Sequence, residues 1–151
     1  METWPMTEAR RQLPTLFEKA RGGEWQLVGR RGRPEAVIAG AADIDNLLSS
    51  TYRFHPELVF GDQSVGAWLP ELRTHATGAT LDEALGELAD VMVEYADDWQ
   101  DHLRLAANHR PLAGYVRRIQ LAGDVAGVLA MLERDADATG GPAGSAPSTA
   151  S

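Results

Sequence analysis

The sequence predicts an α+β fold built from two consecutive small units. A short basic segment combines a strand, a helix, a hairpin and a second helix within residues 1–48, and a new strand-turn-strand pattern begins near residue 52. A long apolar stripe at helical spacing then follows. At 151 residues and 44% hydrophobic content, the chain can build a core in each unit.

Composition excludes several classes of protein. The chain has no cysteine, so disulfides and thiolate metal sites are excluded. No apolar run approaches the roughly 20 residues of a membrane span, and the segment METWPMTEARRQ lacks the apolar core of a signal peptide. We therefore expect a folded cytoplasmic protein.

Charge is distributed unevenly along the chain. Residues 1–42 carry seven basic and five acidic residues, a net charge of +2, whereas the remainder carries seven basic and 17 acidic residues, a net charge of −10. A locally basic end on an acidic body suits a DNA-binding unit joined to an interaction domain, since phosphate responds to the local field. Ordinary scatter of surface charge is the alternative.

The first unit opens with an extended piece at residues 3–6 and a helix from Glu8, for which Thr7 supplies a predicted cap. Pro14 should kink this helix, because it removes the hydrogen bond to the Arg10 carbonyl. The doublet Gly22-Gly23 ends the helix. The predicted buried face of the helix consists of Ala9, Leu13, Leu16, Phe17 and Ala20.

A β-hairpin and a short helix complete the first unit. Residues 25–29 and 36–39 read as strands joined by a turn that contains Gly32 and Pro34, and Asp43 is the predicted cap of a helix at residues 44–48. The resulting β-α-β-β-α unit has too small an interior to be stable alone. We expect it to pair with a second copy.

The second unit, residues 52–136, begins with two strands around a turn at residues 61–64. Thr80 and Glu83 then form a capping box at the start of a helix. The apolar stripe of this helix, which should pack on the sheet, consists of Leu81, Leu85, Leu88, Met92, Tyr95 and Trp99.

Further helices are predicted after Pro111. Residues 112–121 suggest one, and Asp124 is the predicted cap of another. Residues 137–151 are small and polar without periodicity, so we expect a disordered tail there.

No arrangement of residues predicts catalysis. The acidic cluster of Asp97, Asp98 and Asp101 fits a solvated helix end, and no phosphate-binding glycine loop is present in the sequence. The histidines show no ligand spacing: His55, His75, His102 and His109. We expect no enzymatic activity, no metal and no cofactor.

Five arginines of the first unit are the candidate DNA-binding residues. Two lie on the first helix and three at the hairpin: Arg10, Arg11, Arg30, Arg31 and Arg33. Arginine binds phosphate and guanine edges through its planar fork of donors. A two-fold dimer would double this surface and match a palindromic operator.

The first unit resembles the Phd/YefM antitoxin family through TEARRQL, GRRGRPEAVIAG and ADIDNLL, over residues 1 to about 48. The resemblance implies a DNA-binding homodimer that represses its own operon and neutralises a toxin. Carried over by position, it makes Arg10 and Arg31 the first candidates for DNA contacts, supported by Arg11, Arg30 and Arg33.

The second unit is similar to the HicB-like antitoxin domain, a partial ribonuclease-H-like fold. DQSVGAWLPEL followed by TGATLDEALGELADVMVEY carries this similarity, over residues 52 to about 100. The nuclease ancestry of this fold does not imply nuclease activity here. Asp62 and Glu71 are the only acidic candidates near the predicted sheet, and they do not make a full set of carboxylates.

Together these observations favour the antitoxin of a type II toxin-antitoxin system. Its predicted partners are a cognate protein toxin encoded nearby, operator DNA, and further copies of itself in a homodimer or higher even oligomer. The toxin-binding residues cannot be assigned from the sequence. The alternatives are a DNA-binding transcriptional regulator without a toxin and, less favoured, a metal-dependent nuclease using Asp62 or Glu71.

Overall fold

The computed structural model describes residues 1–140, and it divides the chain into two compact units, Met1–Leu47 and Leu48–Ser151. This boundary lies next to the predicted end of the first unit at residue 48. The structure confirms the α+β class, with one three-stranded sheet in each unit. Most of the predicted tail, residues 141–151, lies outside the described residues.

The first unit follows the predicted order, except that its first helix is divided in two. Its elements are β1 (Thr3–Pro5), α1 (Met6–Arg11), α2 (Leu13–Arg21), β2 (Gln26–Arg30), β3 (Arg33–Ile38) and α3 (Ala41–Ser49). The division at Gln12 confirms the predicted interruption by Pro14, which lies at the start of α2, where its missing N–H is tolerated.

Two predicted caps of the first unit are wrong. The first helix begins at Met6 after Pro5, and no side chain caps it, so Thr7 lies inside the first turn. Similarly, α3 begins at Ala41 and the Gly40 carbonyl accepts from the Ile44 N–H, which leaves Asp43 within the first turn. An acidic residue there still favours the helix through its dipole.

The first sheet has the order β1-β2-β3. Strand β1 runs parallel to β2, with Pro5 opposite Gly29, and β3 runs antiparallel to β2. The core on this sheet is small and centres on Ala9, Leu16 and Val28. Two predicted core residues, Leu13 and Phe17, are instead 51% and 57% exposed.

The second unit contains one strand that the sequence analysis did not predict, β6. Its elements are β4 (Glu57–Phe60), β5 (Val65–Leu69), β6 (Thr74–Gly78), α4 (Leu81–Asp98), a π-helical turn (Trp99–Leu103), a 3₁₀ turn (Arg110–Leu112), α5 (Ala113–Ala122) and α6 (Val125–Gly140). The sheet is antiparallel with the order β4-β5-β6. Helix α6 extends into the segment predicted to begin the tail at residue 137.

Helix α4 packs on the sheet as predicted, through β5 and β6, and also against α5 and α6. Its apolar stripe is confirmed only in part, because Leu88, Met92 and Trp99 are buried in the core whereas Leu81 is 37% exposed. The Thr80 side chain accepts from the Glu83 N–H at 3.2 Å, and the Glu83 carboxylate accepts from the Ala79 N–H at 2.8 Å. The capping box is therefore present, shifted by one residue on the glutamate side. The predicted Asp124 cap is also confirmed, since its carboxylate accepts from the Gly127 N–H at 2.8 Å.

Within residues 1–140, no helix combines the length and apolar character that crossing a membrane would require.

Candidate nucleic-acid interface

The tip of the β2-β3 hairpin carries three of the five candidate arginines. Arg30 lies opposite Arg33 in the register, and the two residues between them, Arg31 and Gly32, have positive φ angles of 54° and 72°. Positive φ at both central positions defines a type I′ turn, whose twist matches that of the flanking strands. Asparagine or aspartate usually occupies the position that Arg31 fills here, because other residues are strained in this conformation.

A β-bulge shapes the base of the tip. Val28 lies opposite Ala36 and Gly29 opposite Pro34, so Glu35 is the extra residue of β3. A Cβ atom at Gly29 would lie 1.8 Å from the Arg33 carbonyl oxygen, so only glycine fits this close approach. Neither Gly29 nor Glu35 was predicted to shape the tip, although a glycine inside a strand pattern, here directly before Arg30, is a signal for a bulge.

Glu35 pairs with only one of the three tip arginines. The Arg30 Nε donates to Glu35 Oε1 at 2.8 Å, and a terminal guanidinium nitrogen of Arg30 donates to Oε2 at 2.9 Å. This pairing lowers the pKa of Glu35 and raises that of Arg30, so both stay charged near neutral pH. Arg31 and Arg33 are exposed, and neither forms an ion pair with another residue of the described chain.

The other two candidates, Arg10 and Arg11, are exposed on α1. Arg11 pairs with Glu8 one turn earlier. Since β1 runs parallel to β2 with Pro5 opposite Gly29, α1 begins at the end of the sheet where the hairpin tip emerges. Among the described residues, the first unit therefore presents Arg31 and Arg33 at the hairpin tip and Arg10 on α1 as exposed arginines without an ion-pair partner, and α1 starts from the same end of the sheet.

The second unit does not bring its acidic candidates together. Asp62 is exposed in the β4-β5 turn, whereas Glu71 accepts from the His55 N–H at 2.8 Å. His109 approaches the Tyr95 hydroxyl at 2.7 Å, and burial raises the pKa of Tyr95. Across residues 1–140, no three histidine, aspartate or glutamate side chains cluster in a way that could hold a metal ion.

A family model described as Phd-like, an antitoxin of RelE/RelB toxin-antitoxin systems, matches residues 1–134. The chain belongs to this antitoxin family. The match includes residues of both units, so it is not confined to the first unit. An antitoxin implies a cognate toxin as its partner and a regulatory role for the chain.

A crystal structure from Syntrophomonas wolfei subsp. wolfei, described as an antitoxin part of a proposed toxin/antitoxin system, has a similar fold to this antitoxin. The TM-score is 0.63 at 20% sequence identity, over 87% of this chain and 96% of the other. No curated protein matches the sequence. The Phd/YefM likeness of the first unit and the HicB likeness of the second stay predictions.

Proposed function

We propose that this antitoxin neutralises a cognate toxin by direct binding through its second unit and represses its own operon by binding DNA through its first unit. The observation that carries the DNA-binding half is the hairpin tip, where Arg31 and Arg33 are exposed beside the Arg30–Glu35 pair. A two-stranded ribbon of this kind fits the major groove of B-DNA, where arginine can bind phosphates or guanine edges.

The backbone at Arg31 supports this assignment. A positive φ disfavours arginine by roughly 1–2 kcal/mol relative to glycine. Strained residues cluster at functional sites, where a gain in function offsets the loss of stability. Arg31 is exposed in the two-residue turn at the outer end of the hairpin.

A homodimer follows from the small core of the first unit. Its buried apolar residues are few, while Met6, Leu13 and Phe17 on its helices and Val37 on β3 are each about half exposed. A second copy that covers these residues would supply the apolar burial that the unit lacks. The two-fold symmetric dimer would then place one arginine-bearing hairpin tip at each of the two half-sites of an operator.

Toxin binding is assigned to the second unit because of its charge. Residues 48–151 contain seven basic and 15 acidic residues, whereas residues 1–47 are balanced with seven of each. An acidic surface can occupy the basic cleft of an RNA-binding toxin and exclude its substrate. The separation of charge between the units supports a separation of roles.

The proposed DNA binding is tested by fluorescence anisotropy with labelled DNA from directly upstream of the gene. We expect affinity to fall steeply with salt, and Arg31→Ala to weaken binding about tenfold while the salt slope loses about one unit per phosphate contact. Arg21→Ala is the matched control, because Arg21 is also an exposed arginine of the first unit but pairs with Glu18 on α2. Equal DNA binding by the two variants would exclude the hairpin tip as the DNA-binding site.

The toxin-binding half is tested by expressing the adjacent open reading frame in a bacterial host with and without this chain. Growth arrest that the chain relieves through a complex is the expected result. If the neighbouring product is harmless while upstream DNA is still bound, the chain is a regulator without a toxin.

A further inference from the structure

The outer strand of the second sheet, β4, leaves one edge uncovered. Among the described strands its only neighbour is β5, and all four of its residues are exposed. Val59 and Phe60 are 68% and 67% exposed, and Leu58 is 38% exposed. Proteins usually protect such edges with charge, proline or a covering element, because an apolar free edge recruits another strand.

The register shows which backbone groups of β4 face outward. The Gly61 N–H donates to the Ser64 carbonyl at 2.8 Å, so Gly61 and Ser64 form a hydrogen-bonded pair. Such pairs alternate along an antiparallel ladder, which makes Val59 opposite Gly66 the next bonded pair. The N–H and C=O groups of Leu58 and Phe60 therefore point away from β5, toward the free edge.

The side chains of these two residues share one face of the sheet with buried residues of β5. Leu58 lies opposite Ala67 and Phe60 opposite Val65, and both β5 residues are buried under α4. Leu58 also lines a groove of about 490 Å³, together with Pro56, Leu85 of α4, and Leu129 and Leu132 of α6. A strand added beside β4 would place alternate side chains on this same face.

The groove is bordered by negative charge. Asp82 at the start of α4 and Glu133 on α6 contribute to its lining, no arginine or lysine does, and both carboxylates are exposed. Within residues 1–140, neither carboxylate has an ion-pair partner. The surface thus offers main-chain hydrogen bonds, apolar contacts and two carboxylates without an ion-pair partner among the described residues.

We propose that β4 and the groove beside it bind the cognate toxin, by adding an extended segment of the toxin as a fourth strand of the second sheet. That segment carries apolar residues opposite Leu58 and Phe60, and basic residues that reach Asp82 and Glu133. Main-chain bonds provide affinity in this mode, and the alternate side chains provide specificity. The proposal rests on the proposed antitoxin function and assigns its toxin-binding surface.

A basic partner fits this surface better than a second copy of the chain. The second unit has an excess of eight acidic residues, so pairing two β4 edges would bring two surfaces of the same sign together. A basic segment instead compensates both carboxylates of the groove.

The main-chain part of the proposal is tested with three full-length chains: wild type, Phe60→Ala and Phe60→Pro. Proline removes the outward N–H of residue 60 and leaves the bonds between β4 and β5 in place, because edge strands tolerate proline at such positions. The probe is the purified product of the adjacent open reading frame. We expect Phe60→Pro to bind it about tenfold more weakly than Phe60→Ala, the effect of leaving one partner acceptor unpaired.

The electrostatic part is tested with Glu133→Lys and its matched control Asp97→Lys. Both substitutions change an exposed acidic helix residue and alter the net charge equally, but only Glu133 lines the groove. Glu133→Lys should weaken toxin binding about tenfold, and Asp97→Lys should leave it within about twofold. Circular dichroism and binding to upstream DNA show that each variant is folded.

Amide hydrogen exchange, followed by NMR, supplies a readout without substitution. The Leu58 and Phe60 amides should exchange freely in the antitoxin alone and become protected in the complex, whereas the Val59 amide should be protected in both. Unchanged exchange at Leu58 and Phe60, or equal toxin binding by Phe60→Ala and Phe60→Pro, would overturn the proposal.

Two further outcomes separate the proposals from each other. If Phe60→Pro dissociates a homo-oligomer on light scattering while toxin affinity is unchanged, the β4 edge binds a second copy and the proposal is wrong. If the wild-type chain does not bind the neighbouring product at all, the antitoxin function proposed for this gene pair fails, and the binding surface fails with it.

Discussion

Arg118 of α5 and Asp135 of α6 form a bidentate ion pair in the interior of the second unit. Two guanidinium nitrogens donate to the two carboxylate oxygens at 2.6 and 3.0 Å, and the side chains are only 1% and 3% exposed. Arg118 also donates to the Tyr52 carbonyl at 3.1 Å, and Asp135 accepts from the Phe54 N–H at 2.8 Å. The pair therefore links both C-terminal helices to the chain segment that leads into β4.

Breaking this pair should destabilise the second unit strongly. Asp135→Ala leaves the buried Arg118 guanidinium without its carboxylate partner and the Phe54 N–H without its acceptor, so we expect a loss of about 3–5 kcal/mol in the free energy of unfolding. Urea unfolding followed by far-UV circular dichroism measures it.

The double variant Arg118→Met/Asp135→Leu tests whether the loss arises from the unpaired charge. Because it removes both charges and keeps the volume apolar, it should be more stable than Asp135→Ala. A double variant less stable than the single one would show that the pair itself, rather than the penalty of an unpaired ion, stabilises the unit.

Sequence patterns predicted the elements whose side chains repeat and whose caps are local. Helix α4 was predicted from its stripe and capping box, and the β2-β3 hairpin from its apolar strands around Gly32. Strand β6 was missed because THATG is short and polar, with Ala76 as its single buried residue. The Arg118–Asp135 pair was missed because two charged residues 17 positions apart look solvated until the packing of α5 against α6 is known.

The candidate DNA-binding site was also predicted only in part. The arginines were found from composition and turn signals, since exposed cations at a hairpin tip need no tertiary information. The pairing of Arg30 with Glu35 depends on the geometry of the folded hairpin, which the local sequence does not encode. The bulge that places Glu35 beside Arg30 arises from the close approach of Gly29 to Arg33, which follows only from the folded register.

Gly29→Ala should distort the hairpin. The new Cβ would overlap the Arg33 carbonyl, and the backbone shift this requires should lower the stability of the first unit by about 2–3 kcal/mol. Gly22→Ala is the control, because its nearest contact would be an ordinary 3.5 Å and its φ of −81° suits alanine. Thermal unfolding by circular dichroism compares them, and equal melting temperatures would contradict the close approach.

Arg31→Asn should raise stability and lower DNA affinity together. Asparagine adopts positive φ more readily than arginine and is favoured in type I′ turns, so we expect a gain of about 0.5–1 kcal/mol. Loss of the guanidinium should weaken binding to upstream DNA about tenfold. Arg33→Asn is the control, since it removes a neighbouring cation without relieving a positive φ. Parallel changes in the stability of both variants would argue against strain at Arg31.

Glu35→Gln should strengthen DNA binding, the reverse of the arginine substitutions. In the wild-type chain, the Glu35 carboxylate binds Arg30 in a bidentate pair and places a negative charge at the tip. Its removal frees Arg30 to bind phosphate, and the gain in DNA affinity should be roughly twofold to fivefold, the size of an exposed ion pair.

The pH dependence and a control variant check this prediction. Because Arg30 lowers the pKa of Glu35, the wild-type pair persists at pH 6–8, and the ratio of DNA affinities between variant and wild type should stay constant there. Glu18→Gln, which releases Arg21 on α2 instead, should leave affinity unchanged; an equal gain in both variants would attribute the effect to net charge rather than to the tip.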